Sequence, residues 1–397
     1  MWNNWPLPFL KRVPFLHKDT PWEDIFVFFL LCPALFLYVV FERFPLLYAV
    51  PLGYSALRLL LGRAWEGGGS YRPAPELLRL LLLLGILGVA ALFHRDLFFL
   101  FPAFVRDSLI FASFLVPFLF PHRFESRHIK ALFGVEAVAY LLWIDASRWN
   151  RFFIDLFASR SFSEYDMGLF FGLFFLWFLY RKDWAGTGIA LFILILVSKR
   201  AVYLGLVLPV IWWLFSGRVE ALRRPEVRQR VLLSLYALLL VFSFFVVDSL
   251  TAFVHGFLQR GDIQIDHLLN GRAFVLDFTT FSYAHSDWFS QLFGRGAGQL
   301  DASISLYRPV FWAKYYPEPS NPHNDFLKIL FDYGAVGTLG FAVFMTRWFS
   351  RTRIGTLLFL YSLVLYFFDN SLIHLYYNLI AMIICQSESH EEAIDKP

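Results

Sequence analysis

Apolar residues in this chain come in long runs, separated by short stretches that hold most of the charge. Neither the alternation of a half-buried strand nor the single apolar stripe of a surface helix describes them. Crossing a bilayer as a helix takes roughly 20 predominantly apolar residues, within a range of about 17–25. That measure predicts spans at 24–41, 45–62, 77–93, 97–120, 129–145, 166–180, 185–198, 200–216, 231–250, 323–347, 354–369 and 371–386. The fold class predicted is all-α, a polytopic integral membrane protein with about 12 transmembrane helices. The short runs on either side of Ser198-Lys199-Arg200 could form one kinked helix; splitting them keeps the cations on consistent sides of the membrane.

This layout divides the chain into a cytoplasmic leader at 1–23, nine spans over 24–250, an outer loop over 251–322, three spans over 323–386 and a tail over 387–397. The tail is short and acidic and is expected to be disordered. The leader carries Pro6, Pro8, Pro14, Lys11, Arg12 and Lys18 without a cleavable apolar core, so it reads as the lead-in to a retained first span. Residues 147–160 place Trp149, Phe152, Phe153, Leu156 and Phe157 on one helical face, with Arg148, Arg151 and Asp155 opposite. That pattern predicts a helix lying flat on the outer leaflet, either as a simple cover or as part of a site. The 251–322 loop is the one long polar stretch, and connections of such length are functional or disordered. Its many aromatics favour order.

Composition agrees with lipid as the solvent. Of 397 residues, 58% are hydrophobic and 17% charged, against about 25% charged in soluble domains. With 49 Phe, 18 Tyr and 13 Trp, disorder of the chain as a whole is excluded. Cys32 and Cys385 lie inside apolar runs, with no metal-ligand spacing around either. A net charge of +4 could suggest nucleic acid, but the arginines are scattered between apolar runs, which argues for topology and against a nucleic-acid partner. With the N-terminus inside, about 21 Lys and Arg lie in cytoplasmic segments and about 12 outside. The richest inner connection holds Arg218, Arg223, Arg224, Arg228 and Arg230; the opposite orientation would put all five outside.

Cations kept near hydrocarbon usually have a partner or a function. Arg200 sits at an outer span end beside Lys199, Arg272 in Asn270-Gly271-Arg272, and Arg295 in Leu292-Phe293-Gly294-Arg295-Gly296-Ala297-Gly298. The loop ends in Pro319-Ser320-Asn321-Pro322-His323-Asn324-Asp325, a helix-start pattern in which Ser320 or Asn321 caps and Pro322 takes the first helical position. His323 would then lie near the positive end of the helix dipole, which favours the neutral ring, while Asp325 acts in the opposite sense. Lys328 is three residues from Asp325 and four from Asp332, a trio read as structural neutralisation. The alternatives are plain ones: His323 as a surface or capping residue, and the arginines as lipid-phosphate ligands without chemistry. Gly294-x-Gly296-x-Gly298 has the spacing of a phosphate loop, but with no strand before it reads better as a tight turn. His255, His267 and His285 lack metal spacing. Together these residues imply a membrane protein handling an anionic, lipid-linked ligand on its outer face.

In this order and spacing, Ser198-Lys199-Arg200, Asn270-Gly271-Arg272, Leu292 to Gly298 and Pro322-His323-Asn324-Asp325-Phe326-Leu327 make the sequence resemble the bacterial O-antigen ligase and polymerase family. Asp332-Tyr333-Gly334-Ala335-Val336-Gly337 extends the likeness, which covers about residues 185–345. The resemblance implies a membrane glycosyltransferase of the GT-C-like type in the bacterial inner membrane, its site and long loop on the periplasmic face. It implies a glycan donor on undecaprenyl diphosphate and a lipid A-core sugar hydroxyl as acceptor, with membrane lipids as surroundings. Arg200 and Arg272 match arginines that engage the diphosphate, and His323 matches the family's essential histidine. Lys199 and Arg295 join the expected substrate-binding set. The sequence departs in having Lys199 between serine and arginine and Asp332 where glutamate is common. Paired guanidiniums would stand in for a divalent ion, so neither metal nor cofactor is expected, and one inverting displacement follows. A single dominant loop favours ligase over polymerase. A protein-directed oligosaccharyl transferase and a non-enzymatic lipid-linked-sugar transporter are the other readings; the transporter would bury cations midway across the membrane, where Arg106 is the main one.

Overall fold

The computed structural model describes residues 22–40, 124–143, 168–197, 199–258, 273–307, 323–369, 371–372 and 374–394, with isolated positions at 47, 49–51, 53–54, 110 and 114. Every regular element among the described residues is helical. In chain order these include α1 (Cys32–Val40), α2 (Ser126–Trp143), α3 (Gly168–Arg181), α4 (Trp184–Val197), α5 (Arg200–Ser216) and α6 (Pro225–Leu258). The outer segment supplies α7 (Ala273–Ala284), α8 (Trp288–Phe293) and α9 (Gln299–Tyr307). Then follow α10 (Asp325–Phe349), α11 (Arg353–Phe368) and α12 (Leu375–Ile394). Trp22–Val40, Pro225–Val246 and Asp325–Phe349 are long and apolar enough to cross a membrane, and α3, α4, α5 and α11 are shorter apolar helices. The described part is thus an all-helical, multi-pass design. The expected spans at 45–62, 77–93 and 97–120 and the flat helix at 147–160 lie wholly or mostly outside the described residues.

Two expectations change. Residues 387–394 continue α12 as helix instead of forming a disordered tail. The cause is local: buried Glu388 accepts hydrogen bonds from Trp177 Nε1 at 3.0 Å and Arg181 at 3.4 Å. Helix α6 also runs past the expected 231–250 at both ends, starting at Pro225, whose fixed φ suits a first helical position. One of the inner arginines has a structural task. Buried Arg228 donates to the carbonyls of Ser350 and Arg351, completing the C-terminal end of α10, where backbone acceptors lack helical partners, and to that of Arg223 just ahead of α6.

Helices α3, α5 and α11 form the scaffold of the site. Lipid tails are as apolar as leucine, so helices here associate by close packing more than by a hydrophobic drive. Gly172 and Gly205 permit it: a Cβ on Gly172 would collide with the Tyr361 hydroxyl, and one on Gly205 would lie 2.8 Å from the Tyr361 ring. The tyrosine of α11 therefore fills the space between the two glycine faces and donates to Leu169 O at 3.0 Å. Thr352 caps α11 through Gly355 N, a bond worth about 1 kcal/mol.

The outer segment is docked onto a kink. Gly334 has φ 67° and ψ −175°, outside helical values, and interrupts α10. The interruption frees the carbonyls of Phe331 and Asp332, which accept from Arg295 N at 3.1 Å and Gly296 N at 2.9 Å. Gly294, Gly296 and Gly298 all have positive φ, and a Cβ on Gly294 would strike the Asp332 carbonyl. The glycine-rich segment is a tight turn, and the anion it holds is a carboxylate of its own chain: Asp332 accepts from Gly298 N at 3.2 Å and Leu300 N at 2.9 Å.

Candidate functional site

The break between α4 and α5 that the sequence predicts is present, with Lys199 extended at the cap position of α5. This puts Lys199 and Arg200 at one end of an apolar helix pair. At the same end, α11 finishes at Phe368, and Asp369 is its C-cap, with its N–H bonded to Leu365 O at 2.7 Å. Helix α10 begins there as well. Its cap is Asn324, whose side chain accepts from Leu327 N at 3.0 Å and donates to Ser243 at 3.0 Å. The expected cap at Ser320 or Asn321 with Pro322 in the first turn is therefore corrected. A tertiary bond to α6 fixes the start of the helix three residues later, and His323 lies before the cap at φ 47°.

These three helix ends converge on one carboxylate. Lys199 Nζ lies 2.6 Å from Asp369 Oδ2, and His323 Nδ1 lies 3.5 Å from Asp369 Oδ1. The first contact is a close ion pair, both side chains more than nine-tenths buried. The second is too long for a formed hydrogen bond and is a charge contact. His323 keeps 27% of its side-chain surface exposed, so the imidazole sits at the mouth of the cluster with a carboxylate behind it. Leu372 and His374 are held as well: Asp325 Oδ2 accepts from Leu372 N at 2.8 Å, and Tyr38 OH meets His374 Nδ1 at 3.3 Å.

Not every expected residue reaches this cluster. Arg200 is exposed beside Lys199, and no ion pair engages it among the described residues. Arg272 lies outside the described residues. Arg295 donates to Ser286 Oγ at 2.7 Å and stacks 5.1 Å over the Phe331 ring. Phe331 is eight residues down-chain of His323, roughly 12 Å along the helix, so this guanidinium is bound up in the outer segment. Lys199, an expected phosphate ligand, pairs with Asp369.

The Asp325, Lys328, Asp332 trio is partly reshaped. Lys328 pairs with Asp332 at 2.9 Å and reaches Asp301 at 3.5 Å, whereas Asp325 turns to the 371–372 backbone and Ser371. Asp369 is the functional candidate that sequence reasoning missed. Its one signal is a lone carboxylate closing the apolar run of α11, since isolated charges beside apolar spans are costly and so have partners.

Chemically, a cation pair beside an acid-backed imidazole can hold an anionic leaving group and accept a proton. Residues 185–342, about two-fifths of the chain, match the family model described as O-Antigen ligase. The stretch so matched includes Lys199, Arg200, Arg272, Arg295 and His323 and ends before Asp369. Comparisons with curated proteins and with solved structures give no match.

Proposed function

We propose that this protein is an O-antigen ligase, transferring a glycan from undecaprenyl diphosphate to a lipid A-core sugar hydroxyl at the periplasmic rim of the bacterial inner membrane. The observation that carries this reading is the convergence of Lys199 and His323 on Asp369, with Arg200 exposed beside them. Breaking a sugar–diphosphate bond builds negative charge on the leaving group, and fixed cations stabilise it as it forms. Arg200 presents a planar fork to phosphate oxygens and Arg272 supplies a second.

His323 acts as the base. Asp369 faces Nδ1, favouring the tautomer that keeps its proton there and leaves Nε2 to accept one from the acceptor hydroxyl. As the imidazole becomes charged, the carboxylate behind it offsets that charge. Lys199 holds Asp369 in place and balances it, so its part is played through the carboxylate rather than on the diphosphate. The hydroxyl oxygen bonds to the anomeric carbon as the diphosphate oxygen leaves, in one inverting step without a covalent sugar–enzyme intermediate.

The test is reconstitution with a lipid-diphosphate glycan and either lipid A-core or a second donor molecule. Capped core is the expected product, and it persists in excess chelator. Lengthened lipid-linked chains would instead establish the polymerase reading, and absence of any covalent product the transporter reading. His323→Ala should lower transfer at least about 100-fold, the lower range for losing a general base. Retained turnover in a folded variant would remove His323 from that role.

A further inference from the structure

Helices α5 and α11 have 17 and 16 residues, so each is about 25 Å long. The Lys199–Asp369–His323 cluster occupies one end of this pair. At the other end the same two helices, with the ends of α3 and α12, enclose a surface-opening cavity of about 590 Å³. Its charged lining is Arg181, Lys182, Arg353 and Glu388, and Trp212 and Trp213 form part of its wall. Three cations thus line the cavity against one buried carboxylate, Glu388, which accepts from Trp177 and Arg181. By the distribution of Lys and Arg, this end faces the cytoplasm.

Two of the cations occupy positions that local helix geometry does not favour. Lys182 follows α3 in the left-handed region at φ 57°, with its N–H bonded to Leu179 O and the next N–H to Phe178 O. That paired ending takes glycine most readily, and a side chain there is strained. Arg353 is the first residue of α11, where the helix dipole disfavours a cation and favours an anion. Indole rings at this level suit the boundary between headgroups and hydrocarbon.

We propose that this cavity binds the anionic phosphodiester headgroup of a cytoplasmic-leaflet lipid, held by Arg353 and Lys182 against the two tryptophans. Phosphate chemistry could also come from a soluble anion, and the two tryptophans beside the cations favour lipid. The inference stands apart from the transfer reaction, since its readout is binding.

The full-length protein is reconstituted in bilayer discs of phosphatidylcholine containing phosphatidylglycerol, and retained lipid is counted by native mass spectrometry. Phosphatidylglycerol should be retained selectively, and Lys182→Gln with Arg353→Gln should weaken retention about tenfold, within what two surface cations contribute. The charge-keeping pair Lys182→Arg with Arg353→Lys should retain it and so separates loss of charge from loss of fold. Equal retention in the Gln pair with the wild-type chain, or equal retention of phosphatidylcholine, would overturn the proposal. Displacement of the lipid by millimolar inorganic phosphate would assign the site to a soluble anion and overturn it as well.

Discussion

Two buried aspartates, each paired with a lysine, sit about two turns apart along α10 and differ in what faces them. Asp332 accepts from Lys328, Gly298 N and Leu300 N, and Lys328 has Asp301 as a second partner. Nothing in that set faces solvent widely. Asp369 has Lys199 on one oxygen and, on the other, a half-open imidazole 3.5 Å away. The first arrangement closes a joint between the outer segment and the bundle. The second leaves one group able to change its proton state against a fixed charge, which is what a reactive site requires and a joint does not.

The largest expected effect separates the two by stability. Asp332→Ala takes from Lys328 its nearer carboxylate and from two backbone donors their acceptor, so it should cost about 3–5 kcal/mol. Thermal unfolding in detergent would show it, and an unchanged midpoint would remove the joint. Asp369→Asn should lower turnover and also destabilise, because Lys199 is left charged and buried. Adding Lys199→Met should restore most of the stability and none of the turnover. Recovery of turnover in the double variant would mean that Asp369 serves only as the lysine's counter-ion. Arg200→Lys comes next: the ammonium keeps charge without the fork, and a fall in transfer of about tenfold or more is expected at unchanged midpoint.

The smallest effect concerns acid. Ser290 Oγ, then the backbone N–H groups of Ser290 and Phe289, donate to Asp287 and hold its carboxyl below its ordinary 3.8. A lowered folded-state value means the contribution is complete above about pH 4 and fades as pH falls through the folded value. Hydrogen exchange at Phe289 and Ser290 should therefore quicken at acid pH before the bundle responds. Equal sensitivity throughout would refute local capping.

What could be read in advance follows physical range. The break at Lys199-Arg200, the short apolar helices and the glycine turn depend on neighbours in sequence, and all are present. The cap of α10 was misplaced because Asn324 is selected by Ser243, some eighty residues away in the chain. Asp369 went unnoticed for the same reason: its meaning lies in Lys199 and His323, which only the packing of α5, α10 and α11 brings to it. The tail was misjudged because Glu388 looks like a solvated charge until Trp177 and Arg181 are placed beside it.

The left-handed backbone at His323 acts as a filter on that position. Branched side chains are strained in such a conformation, while asparagine, aspartate, histidine and glycine enter it most easily. Of that short alphabet, only one letter titrates near neutrality. Geometry thus narrows the choice before chemistry makes it, and asparagine becomes the replacement that erases the proton acceptor while respecting the turn.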